Sequence, residues 1–375
     1  MNLESGIWNL EFEINIEGSM SEQFGFGIIG AGIISEYHAK AINAHPDGKV
    51  VAIADIAKSN ADKFAQEHSC EAYTDWREMI KRDDIEAVCV CSPSGLHAEH
   101  TVYAAQAGKH ILVEKSMAIN LRDAVNMIRA ARDNSVKLGV IFQKRTEEAP
   151  NKIKKAIEEG VFGRMVFGDA SIKYWRNQAY YDSADWRGTW AQEGGGSTMT
   201  QGIHGIDLLL YMMGDVEKIY AKIDTVAHER IEVEDVALAL LTFKNGAYGC
   251  LETATATNPG QGNVFHINGT HGTAILVEDT ITSWAVADSR ETLAKEAIAG
   301  AEGKAGTAAS SSTVFPVEGH IIQVVNFISA VRTGEELICS GEEGLRSLQL
   351  IMALYESARR GKEVYVDELL EGMEI

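Results

Sequence analysis

The sequence predicts an α/β chain in two parts: a doubly wound parallel sheet, then an α+β region with an open, mainly antiparallel sheet. Three observations carry that expectation. From Phe24 to Gln143, short runs that are apolar throughout alternate with amphipathic stretches, the pattern of a parallel sheet buried on both faces. Beyond Gln143 the period changes to long alternating runs, as in strands with one solvated face. A glycine turn also joins the first apolar run to the first amphipathic stretch. At 375 residues the chain has room for two domains, which we place at 24–143 and 144–375, after an extension at 1–23.

In order, Phe26–Ile29 is the first strand and a helix runs through Tyr37 to Ala44. Val50–Ala54 is a strand and Asn60–Glu67 a helix. Ala87–Cys91, His110–Val113 and Lys137–Phe142 are further strands, separated by helices near Ala98–Ala107 and Leu121–Asp133. In the second region a helix near Asn151–Glu159 precedes an alternating strand, Met165–Tyr174. A glycine run, Gly194–Gly196, leads into a helix over about Met199–Met213. Alternating runs follow at Lys218–Ala227, Val236–Phe243, Tyr248–Ala256, Val264–Asn268 and Ala274–Glu278, and Asn245-Gly246 marks a hairpin between the second and third of these. Residues Asp288–Ser312 are rich in Ala, Gly, Ser and Glu and are expected to be a mobile excursion. Helices near His320–Arg332 and Glu342–Arg360 close the chain.

A net charge of −20 repels phosphate backbones and anionic lipid, which argues against nucleic-acid and membrane partners. No apolar run approaches the ~20 residues of a membrane helix. The first 22 residues are acidic (Glu4, Glu11, Glu13, Glu17) and lack the basic segment of a signal peptide; they are either an extra strand or a start upstream of Met20. Five cysteines with no C-x-x-C pair suit a reducing, cytoplasmic setting without disulfides. No His/Cys/Asp cluster has metal-ligand spacing, so no metal is expected.

The turn Gly30-Ala31-Gly32-Ile33-Ile34-Ser35 follows a strand and opens a helix, the context in which glycines admit a pyrophosphate to free helix N–H groups. Asp55, ending the second strand, is placed to accept ribose hydroxyls and to repel a 2′-phosphate. NAD is therefore favoured over NADP, although Lys58 offers a phosphate contact.

Three further stretches, Ser92-Pro93-Ser94-Gly95-Leu96-His97, Gly108 through Glu114-Lys115-Ser116, and Gly194 through His204-Gly-Ile-Asp207-Leu208, resemble the glucose–fructose oxidoreductase/inositol dehydrogenase (Gfo/Idh/MocA) family of sugar and polyol oxidoreductases. The likeness spans nearly the whole chain from Phe24. It implies cofactor contacts at Gly30, Gly32, Ile33, Ile34, Asp55, Ser92, Pro93, Ser94, His97, Glu114 and Lys115. Lys115 matches the lysine of the family's Glu-Lys-Pro motif, with Ser116 replacing the proline, and His204 matches the catalytic histidine. Thr200 stands where many members carry an aspartate, so a Lys–Asp–His triad is incomplete. That departure, with Tyr180-Tyr181 and Trp186-Arg187-Gly188-Thr189-Trp190, resembles the branch acting on nucleotide-linked amino sugars and their uronic acids.

Imidazole, with an ordinary pKa of ~6.5, suits proton transfer at neutral pH better than a lysine at ~10.4. His204 is accordingly the expected general base and Lys115 the cation that holds the developing alkoxide; the reverse assignment is the rival. Asp207, one helical turn past His204, either orients the imidazole or serves the fold. Substrate contacts are expected from Lys115, Gln143, Tyr174, Arg176, Trp186, Arg187, Thr200 and His204, with Trp175 and Trp190 as stacking alternatives. The expected reaction is hydride transfer between NAD and a secondary alcohol of a sugar, inositol or nucleotide sugar. The alternative is an NAD-retaining glycoside hydrolase or lyase working through a transient ketone. The far face of the second sheet lacks a cover within the chain, so a homodimer or homotetramer is expected.

Overall fold

A computed structural model describes residues 23–287 and 316–373; the N-terminal extension and the Asp288–Ser312 excursion lie outside them. The first region runs β1 (Phe24–Ile29), α1 (Ile33–Ala44), β2 (Gly48–Ala54), α2 (Lys58–His68), β3 (Glu71–Tyr73), α3 (Trp76–Ile80), β4 (Ala87–Val90), α4 (His97–Gln106), β5 (His110–Val113), α5 (Leu121–Asp133) and β6 (Leu138–Val140). Its six strands are all parallel, in the order β3-β2-β1-β4-β5-β6. The order reverses between β1 and β4, which opens a crevice at the strand C-termini, where such sheets bind ligands. β1 and β4 are buried along their whole length, so their unbroken apolar runs give no alternation. α5 has the bounds its sequence predicts, because Asn120 caps it by accepting the Asp123 amide.

The second region holds α6 (Glu148–Glu158), β7 (Met165–Lys173), short helices α7 (Gln178–Tyr181) and α8 (Trp190–Glu193), and a π turn at Thr198–Gly202 leading into α9 (Ile203–Met213). β8 (Val216–Asp224), β9 (Val236–Phe243), β10 (Tyr248–Ala254), β11 (Gly262–Gly269), β12 (Gly272–Val277) and β13 (Thr280–Val286) follow. Then come α10 (Glu318–Thr333), α11 (Gly341–Arg360) and β14 (Val364–Tyr365). The eight strands are ordered β13-β12-β11-β7-β10-β9-β8-β14. All neighbours are antiparallel except β7 and β10. The Asn245–Gly246 hairpin forms as expected: Asn245 Oδ1 accepts the Ala247 amide at 2.9 Å and joins antiparallel β9 and β10. α9 packs on β7 and α11 on β8, which covers one face of the sheet.

Several elements depart from the sequence expectation. β3 and α3 lie where the sequence predicts no element, because Glu71-Ala72-Tyr73 is short and largely exposed. The expected strand Lys137–Phe142 pairs only over Leu138–Val140 before a 3-10 turn at Gln143–Thr146. The helix expected from Met199 starts as a π turn. α10, late in the chain, returns to the first sheet, where Val324, Phe327 and Ile328 share a core with Phe26 and Ile28.

Candidate active site

The glycine turn fits a dinucleotide. Gly30 has φ +98°, and a Cβ there would lie 2.8 Å from the Cys91 carbonyl oxygen. At Gly32 an added Cβ would meet nothing within 4 Å. This open backbone faces the start of α1, whose amides carry no side-chain cap, so the turn offers free N–H groups to an anion. Ile33 is 63% exposed beside it, and Ile34 is half-buried. Ser35 is fully buried and donates to the Gly32 carbonyl at 2.6 Å. Asp55 Oδ2 accepts the Ala31 amide and Oδ1 the Ala57 amide, each at 2.8 Å. It therefore braces the turn, and each oxygen keeps a second lone pair for a ribose hydroxyl. Lys58 is engaged by Asp62 at 2.7 Å. Asp55→Ala is expected to weaken NAD binding and to narrow the preference over NADP, read by titration of each cofactor; equal losses for both would leave only the brace.

After β4, Ser92, Pro93 and Ser94 lead into α4. His97 is 1% exposed, with Nδ1 2.8 Å from the Ser116 carbonyl oxygen and Nε2 2.7 Å from that of Ser92. It laces together the two loops that flank the crevice rather than lining it. Burial pushes its pKa down against the pull of those carbonyls, and a neutral ring donates to one of them only. His100, lowered to about 4 by burial, lies 2.9 Å from the Ser92 hydroxyl.

Lys115 follows β5, and its peptide bond to Ser116 is cis. Its Nζ donates to the Thr200 carbonyl oxygen at 3.0 Å, while the Thr200 hydroxyl donates to Gly196 at 2.8 Å. The position four residues before His204 thus gives Lys115 a main-chain oxygen in place of a carboxylate. Burial lowers the Lys115 pKa, opposed by Glu114 and Glu193 and aided by Arg176. His204 is half-buried, with its ring edge-on to Phe142 at 5.9 Å. Its Nδ1 is buried and has no hydrogen-bond partner among the described residues. Burial, then the charges of Lys115 and Lys144, hold its pKa well below the usual value. The imidazole is therefore neutral throughout the neutral range.

Asp207 does not orient that imidazole. Its oxygens accept from Arg145 Nε at 2.8 Å and Nη2 at 2.7 Å, and from the Ser347 hydroxyl at 2.9 Å. Arg145 also reaches Glu343 at 2.8 Å. Asp207 is 1% exposed and ties α9 to α11 and the 3-10 turn, which is the fold-serving alternative. Removing Asp207 leaves the buried Arg145 with Glu343 as its remaining carboxylate and Ser347 without its acceptor. Asp207→Ala is expected to cost about 3–5 kcal/mol of stability, read by denaturant unfolding, without moving the pH at which activity falls; a cost below ~1 kcal/mol would contradict this role.

Lys115, Thr200, Trp186 and Arg187 line one cleft, together with Ser94, Tyr180, Glu193 and Gln201. The Arg187 guanidinium sits 4.4 Å from the Tyr180 ring and 4.4 Å from the Trp186 ring, and donates to the Tyr180 hydroxyl at 2.7 Å. Arg176 backs this wall through Gln201 Oε1 at 2.8 Å. Gln143, Tyr174 and His204 stand outside the lining; Tyr174 is half-buried, within reach of the charges of Glu278 and Lys144. Trp190 is not in the wall: its Nε1 donates to the Glu232 carbonyl at 2.9 Å and its ring meets Tyr355. Trp175 instead bridges to Ala256. Sequence reasoning passed over Glu193 and Gln201. Both flank or fall within the glycine-to-histidine stretch, which was the available signal.

The oxidoreductase family with an NAD-binding Rossmann fold matches residues 24–142, and the GFO/IDH/MocA C-terminal domain matches residues 151–275. The WlbA dehydrogenase of Bordetella pertussis, solved with NADH and UDP-GlcNAcA, is 32% identical with a TM-score of 0.80, covering 92% of this chain and 99% of that one. Myo-inositol 2-dehydrogenase of Thermotoga maritima is 26% identical, over 92% of this chain and 99% of its own. Levoglucosan dehydrogenase of Pseudarthrobacter phenanthrenivorans is 30% identical, over 67% and 72%. On these matches the chain belongs to the Gfo/Idh/MocA family and is an NAD-dependent dehydrogenase.

Proposed function

We propose that the protein oxidises a secondary alcohol of a nucleotide-linked amino sugar or its uronic acid, with His204 as proton acceptor and Lys115 as a fixed cation. The observation that carries this reading is the cleft wall beside Lys115, where Arg187 is stacked between Tyr180 and Trp186 with Arg176 behind it. A guanidinium held against aromatic rings suits a carboxylate or phosphate better than a neutral polyol. The likeness to a dehydrogenase solved with UDP-GlcNAcA supports the same choice.

The Gly30–Ile34 turn and Asp55 would hold NAD, which when bound would supply the hydride acceptor. Lys115 Nζ has three protons, and Thr200 takes one. Two remain to hold the substrate oxygen as charge develops on it. A neutral His204 ring nitrogen accepts the alcohol proton and returns it in the reverse direction. The experiment is a panel of nucleotide-linked uronic acids, amino sugars and free polyols, followed by the absorbance of reduced nicotinamide. Turnover is expected for the anionic nucleotide sugars. Turnover of free polyols alone would refute the substrate class, and glycoside cleavage without net cofactor reduction would replace the dehydrogenase with the redox-neutral alternative.

We also propose a homodimer or homotetramer through the outer face of the second sheet. Phe167, Tyr220, Leu238, Leu240, Tyr248 and Tyr365 are 37–60% exposed there. The register joins them into one patch, with Tyr248 opposite Phe167 and Tyr220 opposite Leu240. A contiguous apolar face of this kind is costly in water, and a second copy supplies a matching one. Light scattering should give a multiple of the chain mass, and a stable monomer at micromolar concentration would refute this.

A further inference from the structure

Behind Lys115 the fold assembles a polar group from three distant segments. His38 of α1, Glu114 at the end of β5 and His320 of α10 are all buried, at 0%, 6% and 1% exposure. His38 Nε2 lies 3.0 Å from Glu114 Oε1, and His320 Nε2 lies 3.5 Å from the same oxygen. The two imidazoles meet edge-on with centroids 5.7 Å apart. The other carboxylate oxygen, Oε2, accepts the main-chain N–H of Lys115 at 3.2 Å. One buried carboxylate is therefore gripped by imidazoles on one side and by the amide of the candidate catalytic lysine on the other.

We propose that Glu114, bonded to His38 and flanked by His320, is a positioning residue: its buried anion fixes the main chain at Lys115 and stands as the counter-charge behind the Lys115 ammonium, leaving proton acceptance to His204. The inference rests on the roles proposed above for Lys115 and His204. An ionised carboxylate survives burial only where donors replace water; His38 and the Lys115 main chain donate here, with His320 Nε2 at 3.5 Å. Burial opposes its charge, yet the neighbouring His320 and His38 imidazoles prevail and hold Glu114 far below the usual carboxylate range. Burial lowers His38, against the pull of Glu114, so its ring serves as a neutral donor.

The other groups facing this carboxylate do not cancel it. Burial keeps the Cys89 and Cys91 thiols protonated and disfavours a charge on His97. The charge of Glu114 is thus left to act on Lys115 and His204, raising the proton affinity of both. On the cleft side Lys115 faces Arg176, which lowers its pKa, and Glu193, which raises it. Glu193 is itself pushed up by burial, which leaves Glu114 as the steadier counter-charge.

Two imidazoles and a carboxylate whose ligand atoms lie within 4.8 Å of one another also match a metal donor set. The 3.0 Å contact and the use of Oε2 by a main-chain N–H are the geometry of hydrogen bonds, and metal content enters the test as an outcome.

The test reads Lys115 directly in the full chain without added substrate. Lysines are reductively methylated with isotope-labelled formaldehyde, and the Lys115 resonance is assigned by its loss in Lys115→Arg and followed against pH by NMR. Glu114→Gln should move the Lys115 midpoint about one pH unit or more to lower pH, the scale of an opposite charge at close range. His38→Gln, which retains an N–H donor, should restore the parent midpoint. With substrate, the alkaline limb of kcat should move to lower pH with the midpoint. A midpoint unchanged in Glu114→Gln would overturn the proposal, as would stoichiometric zinc or iron in the purified protein. Should Glu114→Gln fail to fold, His38→Leu removes one donor, and an unchanged midpoint there overturns it equally. The NMR titration is independent of turnover, so absence of dehydrogenase activity would defeat the proposed function and leave this result standing.

Discussion

His204→Ala should lower kcat for alcohol oxidation by about 10²–10⁴-fold, the usual scale for losing general acid–base help. The ring is half-buried against Phe142, and its Nδ1 meets no donor or acceptor among the described residues. Its truncation therefore removes a proton acceptor without breaking a hydrogen bond. Burial and two nearby lysine charges hold the imidazole neutral, so at pH 7 the parent works with the base already in its active form. In the variant the lost rate should return in part at high pH, where hydroxide or ionised substrate supplies what imidazole did. A fall in kcat below tenfold would mean that another group takes the proton.

Lys115→Ala should also depress kcat, through lost alkoxide stabilisation and positioning worth about 3–4 kcal/mol, or roughly 10²–10³-fold. Raising the pH should not recover this loss, because the missing group is a cation. Lys115→Arg keeps the charge but displaces it, since a guanidinium reaches the Thr200 carbonyl with a different geometry; partial activity is expected. An alanine variant as active as the parent, measured with NAD saturating, would remove Lys115 from the mechanism.

Much of the fold is legible because burial writes directly into composition. β1 and β4 lie between two layers of helix and are buried at every position, as is β5 beyond His110, so their apolar runs stand out. β8, with one solvated face, alternates buried Ile219 and Ala221 with exposed Tyr220 and Lys222 and is equally clear. β3 escaped because an edge strand of three exposed residues carries neither signal. The site divides in the same way. Gly30 and Lys115 announce themselves through short motifs, although the Cys91 and Thr200 carbonyls they meet lie 61 and 85 positions away. Asp207 shows the limit of helical spacing. One turn places it near His204, but Arg145, 62 positions earlier, takes its carboxylate, and nothing local reveals that partner. Glu114 is gripped by residues 76 and 206 positions away, which only the fold brings together.

The division of labour between the two residues is tested most directly by kcat against pH for the parent, His204→Ala and Lys115→Ala, with NAD saturating. Protonation of His204 abolishes its role as acceptor, so the acid limb should mark its pKa. Because that pKa is lowered in the folded protein, kcat should stay level through neutral pH and fall only well below 6.5. The limb should be absent from His204→Ala and retained in Lys115→Ala. An acid limb that survives in His204→Ala and vanishes in Lys115→Ala would contradict this assignment and make Lys115 the base.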